Sequence, residues 1–133
     1  MSDTVVVGWI DSAEGRAAIA AAVQETRRRN GRLIVVHSAR GDDEDADDIR
    51  KVRDALAQLK EQLSSTGLDI TTLDFGRGND PAGDLIDVAD KEDAALIVIG
   101  LRRRSPVGKL LLGSNAQDIL LRADRPVLAV KAP

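Results

Sequence analysis

A doubly wound α/β fold with a parallel sheet is predicted by three features of the chain. The runs TVVVGW (4–9), RLIVVHS (32–38) and AALIVI (94–99) are mostly continuous apolar stretches rather than alternating ones, as strands buried on both faces are. Segments with apolar residues three and four apart lie between them, the signature of amphipathic helices. The two kinds alternate as β-α-β-α-β-α-β-α-β, which suits parallel strands joined by right-handed helical crossovers. The expected arrangement has three layers and four helices around a five-stranded sheet ordered 3-2-1-4-5. The 133 residues suit one domain over 1–133.

Each element has a local reason. After the first strand, Asp11 and Glu14 have the spacing of a capping box, and Ser12 is an equally good helix N-cap. The helix that follows should place Ile19, Ala22, Val23 and Thr26 on one face. Arg27, Arg28 and Arg29 sit in its last turn, where cations suit the dipole, and Gly31 is the expected stop. The second strand spans 32–38. The stretch GDDEDADD (41–48) reads as a solvated acidic lead into a helix rather than a calcium loop, since the glycine and distal glutamate of such a loop are missing. Ile49, Val52, Leu56, Leu59 and Leu63 form the apolar stripe of a helix over about 49–65, which Gly67 ends. DITTLDF (69–75) alternates and predicts a more exposed strand. Pro81 opens a third helix carrying Leu85, Ile86, Val88 and Ala89, and 94–99 is the fourth strand. A last helix over 114–122 leads to a final strand over 126–131.

Composition removes several function classes. Aromatic residues make up 2% of the chain, Trp9 and Phe75 alone, so a base-stacking nucleic-acid surface has little material. A net charge of −3 argues against broad phosphate-backbone binding. No cysteine and a single histidine, His37, exclude disulfides and Cys- or His-based zinc sites. His37 reads as a structural side chain at a strand end, with no serine or carboxylate visibly paired to it. No apolar segment is long enough to span a membrane, so no membrane partner is expected and the cytoplasm is the expected compartment.

The predicted topology brings the loop over 10–14 and the stretch GLRRRSPVGKLLLGSN (100–115) to the C-terminal edge of the sheet, between the first and fourth strands. Winding reverses there, and ligands of such sheets bind there. Gly113 and Ser114 before a helix offer backbone N–H groups and a positive dipole end, a general anion site. Arg102, Arg103, Arg104 and Lys109 add positive charge. Two phosphate motifs are incomplete: Leu110 follows Gly108-Lys109 where a Walker loop needs Ser or Thr, and Gly8-Trp9-Ile10 lacks the Rossmann glycines.

Over essentially its whole length the chain resembles a universal stress protein domain. The likeness rests on VVVG, IVVH, LIVIG and the run from PVGKLLLGS to PVLAV. Nucleotide-binding members carry the pattern Gly, two residues, Gly, nine residues, Gly, then Ser or Thr. Here it reads G-x-x-R-x9-G-S, from Gly100 through Arg103 to Gly113 and Ser114. The resemblance implies ATP or AMP as ligand, with or without magnesium. It places phosphate at Gly113 and Ser114, with Asn115 next in the helix, ribose near Gly100, and adenine near the backbone at Ser38. Arg102 and Arg103 are candidate phosphate contacts, and Asp11 is the candidate for the ribose- or base-holding acid. Two departures bear on this. Ile10 stands where that acid belongs, with Asp11 one step later, and Arg103 replaces a glycine, where it either fills the ligand's space or grips phosphate.

Three functions follow as expectations. The first is a stress-response protein that binds an adenine nucleotide. The second is a nucleotide-free regulatory module that forms a homodimer through its apolar last strand. The third, slow ATP hydrolysis, has Asp11 as its one plausible carboxylate and is the least supported.

Overall fold

The computed structural model describes residues 3–39, 46–76, 79–102 and 112–132. Its elements are β1 (Thr4–Gly8), α1 (Ala13–Arg29), β2 (Arg32–His37), α2 (Ala46–Ser64), β3 (Asp69–Asp74), α3 (Pro81–Lys91), β4 (Leu96–Leu101), α4 (Ser114–Arg122) and β5 (Val127–Lys131). All strand pairs are parallel, and the sheet order is β3-β2-β1-β4-β5. The predicted fold class, strand order and helix number are those observed. Most of the acidic stretch 41–48 lies outside the described residues. α2 starts at Ala46, three residues before the apolar stripe, with Asp47 and Asp48 in its first turn. β4 runs later than 94–99 because its pairing with β1 begins at Leu96 opposite Val5.

Alternation within the buried strands divides the core into two layers. Val5, Val7, Leu33, Val35, Leu96 and Val98 pack under α1 and α2 with Ala18, Ile19 and Leu56. Val6, Ile34, Val36, Ile97 and Ile99 face the other way, onto Leu85 and Ala89 of α3 and Ile119 of α4. Both faces are therefore dry, which explains the unbroken apolar runs in the sequence. Each buried Val, Leu or Ile contributes roughly 1.5–3 kcal/mol relative to exposure. β3 lies at a sheet edge and shows the expected mixed exposure.

The ends of α1 settle which of the two N-cap candidates serves and which residue turns left-handed. Ser12 is the N-cap: its hydroxyl accepts from the N–H of Gly15 at 3.0 Å. The Asp11–Glu14 capping box does not form; Asp11 faces Arg16 at 3.8 Å and Glu14 turns into the interior. At the other end the left-handed residue is Asn30, with φ of 50°, rather than Gly31. Gly31 donates back to the carbonyl of Thr26, closing a Schellman-type turn. The smallness of Gly31 serves packing, since a β-carbon there would meet the carbonyl oxygen of Asp3.

Candidate functional site

β1 is hydrogen-bonded to β2 on one side and β4 on the other, so the winding reverses at β1 and β4 as expected. At the carboxyl end of these strands, on the α3–α4 side, lies a hollow of about 120 Å³. Gly8, Trp9 and Ile10 leave β1 along one wall, and Val36 and Ser38 leave β2 along another. Leu85 and Ile119 come from α3 and α4, and Asn115 stands at the first turn of α4. The lining is largely apolar, with polar groups at Ser38 and Asn115. The volume is below the roughly 300–1,000 Å³ of sites that enclose drug-sized ligands, and suits a ring-sized group.

The residues marked in the sequence divide into those that reach this hollow and those that do not. Ser38 is 8% exposed, and its hydroxyl donates to Oδ2 of Asp84 at 2.7 Å. That fixes the hydroxyl toward α3 and leaves the backbone of the β2 end at the wall. Asn115 lines the hollow. Asp11 does not; it is exposed beside Arg16, and Ile10 takes the lining position. Ser114 is exposed at the start of α4, and Gly113 is its N-cap. Among the described residues, nothing lies within 4 Å of a β-carbon built on Gly113.

Gly100 has a packing role. A β-carbon there would stand 2.3 Å from the carbonyl oxygen of Glu14, so the first turn of α1 rests directly on β4. Arg102 reaches the same turn: its Nε lies 3.4 Å from Oε1 of Glu14, whose side chain is 11% exposed. Sequence reasoning missed Glu14 as a partner of this loop and favoured Asp11. Their spacing is equally compatible with either acid facing inward, and only the cap at Ser12 decides it. Arg103, with Arg104 and Lys109, lies outside the described residues.

His37 is 6% exposed, and contrary to the sequence reading it has a carboxylate partner. Its Nδ1 donates to Oδ1 of Asp74 at 2.9 Å, across directly paired positions of β2 and β3. Its ring also packs against that of Trp9, with centroids 5.8 Å apart. Burial opposes ionisation of Asp74. The hydrogen bond from His37, a second from the N–H of Gly76, and the nearby charges of His37 and Arg53 outweigh it and hold the carboxyl below its ordinary value.

The sequence profile of the universal stress protein family matches residues 1–131. The chain belongs to this family. A universal stress protein of Mycolicibacterium smegmatis is 42% identical over 130 residues, covering 96% of both chains. A universal stress protein structure from Archaeoglobus fulgidus superposes with a TM-score of 0.77 at 35% identity, covering 98% of this chain and 99% of that one. A second Archaeoglobus fulgidus universal stress protein structure, in complex with dAMP, has a TM-score of 0.70 at 30% identity, with 98% of each chain covered. Against this universal stress protein background, the Glu14–Arg102 and Ser38–Asp84 pairs are features read from this chain's own geometry.

Proposed function

We propose that this universal stress protein is a cytoplasmic stress-response protein that binds an adenine nucleotide, ATP or AMP, at the switch point between β1 and β4. The observation that carries the reading is the junction of the hollow with the start of α4. Asn115 belongs to both, and among the described residues nothing stands within 4 Å of a β-carbon on Gly113. An adenine-sized ring fits the apolar hollow, and the phosphates reach the N–H groups and positive dipole end at Gly113 and Ser114. Arg102 adds charge nearby, and Arg103 stands at the family's second glycine. The dAMP complex of an Archaeoglobus fulgidus universal stress protein supports the ligand class. Among the described residues no group of three His, Cys, Asp or Glu side chains is placed to hold a metal. Calorimetry with ATP, ADP and AMP, with and without magnesium, tests the proposal. Heat and thermal stabilisation are expected; neither, at millimolar nucleotide, rejects it.

A second reading, a homodimer joined through β5, is favoured by a separate observation. β5 is a sheet edge of Val, Leu, Ala and Val, and Leu121 on α4 is 84% exposed. Light scattering across a concentration series tests it, and a monomer throughout rejects it. Leu121→Glu should weaken the assembly while leaving nucleotide binding intact.

A further inference from the structure

The chain leaves β2 at Ser38, and the residues on either side of Ser38 bond toward β3. The carbonyl of His37 accepts from the N–H of Phe75, and the N–H of Ala39 donates to the carbonyl of Gly76. Alternation along an extended strand turns the main-chain groups of Ser38 the other way, toward β1 and the hollow that Ser38 lines. β1 offers no partner there. Its pairing with β2 ends at Gly8 opposite Val36, and the N–H of Trp9 goes to the carbonyl of Val36. Among the described residues, neither the N–H nor the carbonyl of Ser38 makes a main-chain hydrogen bond, although the residue is 8% exposed. Buried main-chain groups are normally paired, so a donor and an acceptor standing open side by side at the wall point to a ligand.

We propose that Asp84 is a positioning residue for this open pair: through the Ser38 hydroxyl, its carboxylate aims the N–H and carbonyl of Ser38 into the hollow. The bond from Ser38 Oγ to Asp84 Oδ2, 2.7 Å long, anchors the side chain of Ser38 and has the length of a charge-assisted contact. Its far end is rigid. Asp84 lies in the first turn of α3, where its N–H donates to the carbonyl of Asp80 at 2.9 Å, and the next residue, Leu85, is buried in the core. Asp84 itself stays outside the hollow and borders a separate groove with Leu73, Phe75 and Asp87. The open pair matches a ring edge with one acceptor beside one donor, as adenine has at N1 and its exocyclic amine. Hypoxanthine carries a hydrogen on N1 and an oxygen in place of the amine, which reverses both. The ligand part of this inference rests on the nucleotide reading; the hold of Asp84 on Ser38 does not.

Calorimetry with AMP and IMP on the wild type, Asp84→Ala, Asp84→Asn and Ser38→Ala, with folding checked by melting, tests the ligand part. Asp84→Ala and Ser38→Ala should each weaken AMP binding by roughly tenfold or more, the scale of one hydrogen bond to a charged group. Both should also narrow the preference for AMP over IMP, which a loss of stability alone would not change. Asp84→Asn, whose amide oxygen accepts the same hydrogen, should retain most of the affinity and the preference. Wild-type affinity and preference in Asp84→Ala overturn the proposal, and so does an Asp84→Asn variant as weak as Asp84→Ala. A wild type that binds IMP as tightly as AMP also overturns it. If Asp84→Ala does not fold, wild-type binding by Ser38→Ala overturns it. In ligand-free protein, the amide resonance of Ser38 should shift and broaden in Asp84→Ala and stay sharp in Asp84→Asn; an unchanged resonance in Asp84→Ala overturns the proposal with no nucleotide present. Absence of AMP binding by the wild type overturns the nucleotide reading instead, and the amide resonance still decides whether Asp84 holds Ser38.

Discussion

Gly100 and Glu14 touch through backbone: a β-carbon on Gly100 would lie 2.3 Å from the carbonyl oxygen of Glu14 and 2.7 Å from its carbonyl carbon. The family's first motif glycine thus serves here to seat α1 on β4. Gly100→Ala is expected to cost about 1–3 kcal/mol, the range for overpacked sites, because the obstacle is main chain and cannot rotate away. Urea unfolding at neutral pH measures it. An unchanged midpoint would show that α1 shifts freely.

Gly113 gives the opposite expectation. Among the described residues, nothing lies within 4 Å of a β-carbon built there. Its φ of −68° is open to any residue. Gly113→Ala should cost about 1 kcal/mol or less, the difference between glycine and alanine as N-caps. Under the proposed function it should weaken AMP binding much more than stability, since the methyl group stands where phosphate approaches. Equal AMP affinity in the variant and wild type would separate Gly113 from the ligand.

Arg102 has two candidate employers, Glu14 and a phosphate. The side chain of Arg102 is 56% exposed, so its pairing with Glu14 is expected to contribute no more than about 1 kcal/mol. Arg102→Ala should therefore fold normally and lose nucleotide affinity, the loss shrinking in high salt. Glu14→Gln should leave the fold intact and free Arg102 for the ligand, raising affinity. If both variants bind AMP as the wild type does, Arg102 serves only Glu14.

Asp74 sets an acid limit. Its folded carboxyl is held below the ordinary value of 3.8, so its contribution to stability is complete above that value. It is lost as pH falls through the lower, folded value. Urea midpoints of the wild type should drop faster between about pH 5 and pH 2 than those of Asp74→Asn, which has no charge to lose. The side chain is 40% exposed, so the divergence is modest. Parallel curves would show that Asp74 does not stabilise the fold through its charge.

The sheet was legible because its strands are buried on both faces, and Val, Ile and Leu in unbroken runs have few other uses. Helix starts were legible where a hydroxyl or proline marks them, as at Ser12 and Pro81. Pairings across the chain were not. His37 meets Asp74 only because β2 and β3 run parallel in one register, and no spacing within either segment encodes that. Ser38 with Asp84 and Glu14 with Arg102 are of the same kind. The turn at Asn30 was missed because glycine is the commoner left-handed residue, whereas here Gly31 is held small by Asp3. The site's position followed from topology alone, while its wall was set by Ile10, which lines the hollow though 47% exposed, and by Asp11 standing away beside Arg16.

The two borders of the sheet are chemically unlike. β3 is bounded by Asp69 and Asp74, with Ile70, Thr71, Thr72 and Leu73 between them; β5 offers Val127, Leu128, Ala129 and Val130 before Lys131. Carboxylates along a strand edge repel a would-be neighbour, and an aliphatic edge welcomes one. Should β5 join two copies as proposed, β3 presents no matching aliphatic border to a third, and growth into fibrils would lack a second point of attachment.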